Sequence, residues 1–597
     1  MQRTTRLLLA TGLTLATIAS AFWMIHLHQE EKLWGHWPLV LFLSGWLSVF
    51  FWTARRSLAD QQGLRWFGLA SASAVLLSLG FPPLTSTPLM FLGFVPLYWL
   101  LKEIPLVVSE KPRKLLFRYS YHLFVVWNIL TTYWVANTAF IAGVLAIFVN
   151  ALFMCVPLLL AAWTIKHMPK FGILTFIAYW ISFEYLHLRW EISWPWLTLG
   201  NAFAEHPAWV QWYSYTGVFG GSLWILLANW LFFEFLWKGR SGTKTTLFPA
   251  LSKLSLLIFL PIILSLVQYY RFDPEAGKGV EVVVVQPNFE PHYQKFDSPE
   301  EFQKDRFLSL AQEALTENTD YLVFPETSFG PILDEQLGQE PITKSLQAFI
   351  DGYPKLKLIS GLTLYHIFRD GETPSAAARQ RVLGTGNVME YEMLNAAVQF
   401  SSGQTETTIY KKSKLVPGAE FLPYRKLLFF LEPVVEKLEG SMAGYGMQEK
   451  RTAFTSLDGQ NAVGPAICYE SIYGEYYAGY VRAGANMTFI MTNDGWWDNT
   501  AGHKQHLKYA SLRAIETRKP IARSANTGIS GFVNARGDIQ QATEYGVEAA
   551  VNGTIYPNDI ETFYEWHGDL IGRIAVFLTI IFLLNGLVKK LTPKKEA

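Results

Sequence analysis

Cysteine is almost absent: the 597 residues hold two, Cys155 and Cys468. Two thiols cannot build a disulfide framework or a thiolate zinc cluster. An excess of either charge is also missing. Fifty Lys and Arg stand against 49 Asp and Glu, for a formal net charge of +1, so nothing calls for a nucleic-acid partner. No internal repeat and no low-complexity segment occurs. What is plentiful is apolar: hydrophobic residues make up 50% of the chain, with 22 tryptophans. They are unevenly spread. Residues 1 to about 270 are almost continuously apolar, about 278 to 556 have ordinary globular composition, and a last apolar block, "LIGRIAVFLTIIFLLNGLV", precedes Lys589, Lys590, Lys594 and Lys595.

A membrane-crossing helix needs about 20 mostly apolar residues. Ten stretches qualify: roughly 7–26, 37–53, 66–82, 87–103, 122–141, 144–165, 171–188, 217–237, 248–268 and 568–588. The expected division is an N-terminal membrane extension of about two spans over 1–65 and a membrane domain of about seven over 66–270. A globular domain over 278–556 and a C-terminal transmembrane helix over 567–590 complete it. Basic short loops mark the cytoplasmic side. With the N-terminus inside, "ARRSLADQQGLR", "KEIPLVVSEKPRKLLFR", "KHMPK", "KGRSGTK" and the tail "KKLTPKKEA" all face inward. The globular part is then expected outside the cytoplasm. Arg3, Arg6, the following apolar run and "ASA" at 19–21 also resemble a secretory signal peptide. Its removal would leave the sidedness of the remaining spans unchanged. Among the few charges inside spans, Glu184 and Arg189 could pair with each other or with a neighbouring helix, a structural role. Cys155, in "NALFMCVPLLL", behaves as a small apolar residue.

From 280 the periodicity changes. "VEVVVVQ", "YLVFPE", "KLKLISGL", "AVGPAICYE" and "NMTFIMTND" read as strands, "LNAAVQFS" and "TTIYKKSKL" as a strand pair, and helices fall near 298–316, 341–351, 471–484 and 502–518. Alternating strands and helices with added hairpins give an α/β layered domain covered by helices. Three strand ends carry unusual residues: Glu326, Lys412 and Cys468. A thiol with an ordinary pKa of about 8.5 is mostly protonated at neutral pH, and a nearby carboxylate can take its proton. An ammonium favours the thiolate and neutralises the oxyanion formed when a carbonyl is attacked. The peptide N–H groups of Tyr469 and Glu470 could add hydrogen bonds. Such a trio serves acyl transfer through a thioester. The same residues also admit plainer readings: Cys468 as packing, Glu326 as a helix cap, Lys412 as part of a basic face with Lys411 and Lys414.

With these residues in view, the chain resembles the bacterial apolipoprotein N-acyltransferases, polytopic membrane enzymes carrying a carbon–nitrogen hydrolase (nitrilase-like) domain. The resemblance runs from about residue 66 to the last span. Its motifs are "SWPWLTLGNAF", "GVFGGSLWILLANWLF", "VFPETSF", "LNAAV", "YKKSKLVPGAEFLPY", "AICYESIYGE", "TNDGWW" and "QHLKYASLRAIETRKPIARSANTGISGFVNARG". It implies a multi-span helical membrane domain plus an α-β-β-α sandwich. It makes Glu326 the general base, Cys468 the nucleophile and, through Tyr-x-Lys-x-x-Leu, Lys412 the lysine. Glu420 matches a second active-site glutamate, Tyr469 and Glu470 the pair after the nucleophile, Trp496 a tryptophan beside the substrate, and Asn395 a supporting asparagine. The chain departs from the family at "VPGAE", where Gly418 stands in place of the family's aromatic two residues before Glu420, at "KSKL", and after the first tryptophan of "GWWDNTAGHKQH"; the first two spans have no recognised counterpart.

The implied reaction takes an acyl chain from a glycerophospholipid onto Cys468. The chain then passes to the α-amino group of the diacylglyceryl-cysteine of an apolipoprotein, at the bacterial inner membrane on its periplasmic side. Membrane lipid is therefore a partner, and no metal or organic cofactor is implied. The segment 424–438 reads as a lipid-touching lid or as a helix packed on the domain. Two other functions remain open at this point: a membrane-anchored amidohydrolase or lipid hydrolase using water, and a noncatalytic lipoprotein-binding or transport protein. The intact trio weighs against the latter, and the many spans against the former.

Overall fold

The computed structural model describes residues 1–55, 58–240, 247–382, 388–404, 406–428 and 444–592. They form two units, one of Met1–Val267, Thr500–Gln505 and Asp569–Ala597, the other of Gln268–Asn499 and His506–Gly568. Of the stretch read as a lid, Arg425–Leu428 is a helical turn; 429–438 lies outside the described residues.

The first unit is helical. Among the described residues, six helices are long and apolar enough to cross a membrane: Arg3–Gln29, Thr87–Val107, Phe140–His167, Val218–Arg240, Leu251–Arg271 and Leu570–Leu591. The chain is a multi-pass membrane protein. The four other expected spans coincide with helices that are shorter or less apolar, Trp37–Thr53, Gln61–Leu79, Pro112–Thr132 and Leu174–His187. The third of these starts at Pro112 rather than 122, because proline at the first helical position presets the helical φ and loses no bond there. Two buried carboxylates of this unit are met by donors, as an apolar surrounding demands. Glu103 takes Arg65 at 3.1 Å, Arg240 at 3.0 Å and the indole N–H of Trp66 at 3.1 Å. Glu184 and Arg189 do not pair with each other: Glu184 accepts from Trp180 Nε1 and the Leu199 N–H, and Arg189 holds Asp569 at 2.9 Å.

The second unit is built on two sheets. The strands are β1 Val280–Gln286, β2 Tyr321–Val323, β3 Phe329–Leu333, β4 Lys357–Ile367, β5 Arg379–Val382, β6 Val388–Ser401, β7 Thr408–Lys411, β8 Phe454–Thr455, β9 Ala462–Ile467, β10 Met487–Thr492, β11 Ile521–Ala525, β12 Gly531–Val533, β13 Ile539–Gln540 and β14 Ala549–Ile555. One sheet runs β14-β1-β2-β4-β6-β5, with β3 on β4 and β7 on β6; the other runs β13-β12-β11-β10-β9-β8. Strand side chains alternate between faces, and the burial follows suit. Val283 and Val285 of β1 join a core with Phe307 and Ala311 of helix Glu300–Ala314 and Leu346 of helix Pro341–Ile350. Val282 and Val284 point the other way, into a core with Tyr321 and Phe489, whose rings meet edge-on at 5.3 Å. Thr488, one residue from Phe489, faces outward instead and bonds Tyr477 of helix Gly474–Arg482. Helices therefore cover both outer faces of a two-sheet sandwich, the expected α-β-β-α fold.

Candidate active site

Where a strand ends, its backbone leaves the ladder and its next side chain can reach a common point beyond the sheet edge. Lys412 directly follows β7 and Cys468 directly follows β9. Glu326 lies three residues past β2, on a turn held against β4: the Ser328 N–H bonds Gly361 O at 2.7 Å and the Gly361 N–H bonds Pro325 O at 3.1 Å. A Cβ on Gly361 would stand 2.6 Å from Glu326 Cα, so only glycine permits that approach.

Lys412 is the electrostatic centre. Its Nζ donates to Glu326 Oε1 and to Glu420 Oε1, each at 2.8 Å. Asn395 Nδ2 donates to the same two oxygens at 2.8 and 3.4 Å, its carbonyl accepts the Lys412 N–H, and the Val416 N–H donates to Glu420 Oε2 at 2.7 Å. Burial alone would discharge the amine, but the Glu326 and Glu420 carboxylates outweigh it and hold Lys412 well above its usual range. Burial raises Glu420, while Lys412 opposes that rise.

Cys468 opens a short 3-10 turn, Cys468–Ile472, with its own φ at +47°. That left-handed backbone is uncommon away from glycine. Burial pushes the thiol well up, the Glu326 carboxylate adds to the rise, and Lys412 together with a hydrogen bond from Thr492 counteracts it. Glu326 and Lys412 thus act on it electrostatically in opposite directions.

The remaining predicted residues divide. Glu420 and Asn395 join Glu326 and Lys412 directly. Glu470 is fully buried and turned inward: it accepts from the Ile467 N–H at 2.8 Å, the Ser413 N–H at 2.7 Å, and the hydroxyls of Tyr410, Tyr476 and Tyr480 at 2.7 Å each. It ties the turn bearing Cys468 to the turn bearing Lys412. Tyr469 is buried edge-on against Tyr473 at 5.1 Å. Trp496 stacks on Phe296, which is 71% exposed, and meets His292 edge-on. Sequence reasoning missed Lys295, whose buried Nζ donates to Thr327 Oγ1 at 2.9 Å and to the Glu326 carbonyl at 3.3 Å. Burial lowers that amine to about 8, against the pull of Glu326. A lone lysine in "PHYQKFD" carries no signal that would have singled it out. Among the described residues no group of three or more His, Cys, Asp or Glu side chains forms a metal site.

A carboxylate, an ammonium and a thiol at strand ends of a two-sheet sandwich define a carbon–nitrogen hydrolase domain, here in a chain that also crosses a membrane several times. The family model described as carbon-nitrogen hydrolase matches residues 282–563, and the one described as apolipoprotein N-acyltransferase N-terminal domain matches 73–231. The apolipoprotein N-acyltransferase of Chlorobaculum tepidum is 28% identical over 540 residues, covering 88% of this chain and 97% of that protein. That of Geobacter metallireducens is 28% identical over 528 residues, covering 85% and 92%. Among solved structures, Nit3 of Saccharomyces cerevisiae, a nitrilase-superfamily member, matches 49% of this chain and 94% of its own at 16% identity, with a TM-score of 0.33. The chain belongs to the apolipoprotein N-acyltransferase family.

Proposed function

We propose that this enzyme acylates the N-terminus of apolipoproteins, with a glycerophospholipid as donor and Cys468 as the carrier. Glu326 takes the Cys468 proton as the sulfur attacks the ester carbonyl. The Lys412 ammonium and the Tyr469 N–H stabilise the oxyanion. Collapse breaks the ester C–O bond, the departing lysophospholipid oxygen takes the proton from Glu326, and a thioester remains. The α-amino group of a diacylglyceryl-cysteine then attacks that thioester and gives a proton to Glu326. The C–S bond breaks, the sulfur recovers the proton, and an amide leaves.

The observation that carries this reading is Lys412 Nζ, 2.8 Å from both Glu326 and Glu420 and acting with Glu326 on the Cys468 thiol. Both substrates are membrane-anchored, so an enzyme spanning that membrane meets them by lateral diffusion. The basic inner loops support a bacterial inner-membrane location with the catalytic domain, 278–556, on the periplasmic side. In this reading 66–270 and 567–590 are its membrane parts and 1–65 an extension.

Intact-protein mass spectrometry after incubation with phospholipid alone tests the proposal. The expected result is a Cys468-dependent fatty-acyl adduct, removed by hydroxylamine and discharged by a lipopeptide amine. Discharge to water alone would replace the reading with a hydrolase. No adduct in folded protein, with Cys468→Ala silent in cells, would leave a binding or transport protein.

A further inference from the structure

The carbonyl of Cys468 and the N–H of Tyr469 belong to one planar peptide and point to opposite sides of it. Whatever holds that carbonyl therefore aims that N–H. Ser471 and His506 reach it. Ser471 Oγ donates to Cys468 O at 2.7 Å, and His506 Nε2 lies 3.2 Å from the same oxygen and 2.8 Å from Ser471 Oγ. Behind the imidazole, His506 Nδ1 meets Asp494 Oδ1 at 2.9 Å, and Asp494 Oδ2 is held by Arg523. All four side chains are buried. Trp497 packs against the ring at 5.5 Å. Two helical turns further along, Arg513 donates to Ile472 O at 2.8 Å, gripping the far end of the same 3-10 turn.

We propose that His506, oriented by Asp494 and acting with Ser471, is a positioning residue that sets the Cys468–Tyr469 peptide so that the Tyr469 N–H faces the oxyanion. With its proton on Nδ1, the ring is fixed by Asp494, and its Nε2 and Cys468 O share the single Ser471 proton; with both protons, Nε2–H and the Ser471 hydroxyl both donate toward Cys468 O. The second state holds the Cys468 carbonyl turned toward this network, against the uncommon φ of +47°. The inference rests on the thioester reading above.

The test compares two reactions of the same sulfur in the full-length purified protein. Acylation by phospholipid builds an oxyanion; alkylation by iodoacetamide attacks a saturated carbon and builds none. Loss of an oxyanion donor costs about 10²–10³-fold, and a misaimed donor less. His506→Leu should therefore slow acyl-adduct formation about 10–100-fold and change alkylation by less than about twofold. His506→Gln, which places an amide at the Nε2 position, should recover most of the loss. Ser471→Ala, which keeps the ring, should slow acylation about 10-fold with alkylation unchanged, and it carries the test if His506→Leu does not fold. Equal losses in both reactions, or acylation at the wild-type rate in Ser471→Ala and His506→Leu, would overturn the inference while wild-type acylation stands. Absence of any adduct on the wild-type protein would sink the thioester reading and this inference together.

Discussion

Replacing Lys412 by methionine should uncouple activity from stability in a way that a second substitution repairs by half. The ammonium lies between two buried carboxylates, each 2.8 Å from Nζ, so the two Oε1 atoms are no more than about 5.6 Å apart. Without the cation, like charges at that distance repel by about 3 kcal/mol at an effective dielectric constant of 20. Stranding one partner of a buried pair costs about 3–5 kcal/mol by comparison. Lys412→Met should thus lower the melting midpoint, read at one scan rate because such proteins unfold kinetically. The deficit should be large at neutral pH and shrink on acidification. In the variant Glu420, which burial raises and Lys412 no longer opposes, holds its proton to higher pH than in the unfolded chain, so native stability is lost as pH rises. Adding Glu420→Gln removes the repulsion and should restore most of the midpoint. It restores no chemistry: without the ammonium at the oxyanion, acyl-adduct formation should stay down by about 10²–10³-fold. If Lys412→Met melts like the wild type, or if the double variant melts no higher than Lys412→Met, the three charges do not balance as their geometry demands.

Gly361→Ala should displace the Glu326 turn, since the new Cβ stands 2.6 Å from Glu326 Cα; a shift of that kind costs about 10²-fold in acylation, which single-turnover mass spectrometry measures. Glu470→Gln exchanges one acceptor oxygen for a donor inside a ring of six donors. The unmet groups should cost about 1–3 kcal/mol, seen as a lower melting midpoint together with slower alkylation of Cys468. Lys295, lowered by burial to about 8 from 10.5, binds its proton less well folded than unfolded. Between those values native stability should therefore rise with pH, and Lys295→Met should abolish that increment in a pH series of melting curves.

How far the sequence could be read depends on where each feature's cause resides. β1 was legible because "VEVVVVQ" is a run of β-branched residues whose two faces are both buried, and its strand character does not depend on a partner. β14 was not: "AAVNGTI" contains Asn and Gly, and it becomes a strand by pairing antiparallel along the whole of β1, Val280 to Ile555 through Gln286 to Ala549. Arg189 shows the same limit in the membrane unit. Its sequence offered Glu184 or an unspecified neighbouring helix; its partner is Asp569, the N-cap of helix Leu570–Leu591, 380 residues away. In the candidate site, acid, amine and thiol stood out because each is an unsuitable residue to end an apolar strand. Glu420 stood out only through a motif. His506 and Asp494 did not stand out at all: a histidine in a helix and an aspartate after a strand are ordinary, and their meaning lies in their reaching one carbonyl oxygen and one another.

That distinction bears on what a catalytic sandwich asks of its sequence. In the proposed reaction the reacting groups come from three strand ends in two sheets, so the sheets must hold them in register. The glutamate inside that frame, Glu470, accepts from the Ile467 N–H beside Cys468 and from the Ser413 N–H beside Lys412. A single buried carboxylate thereby spans the two sheets at the point where nucleophile and ammonium must converge. An unpaired carboxylate in that place would be prohibitively costly. Six donors make it tolerable, and three of them are tyrosine hydroxyls, one from the strand that leads into Lys412 and two from helix Gly474–Arg482. Tyr410, Tyr476 and Tyr480 are thus part of the site's construction although none meets substrate. Replacing Tyr480 by phenylalanine should leave the thiol in place and weaken the hold between the two turns, so it should slow acylation more than alkylation.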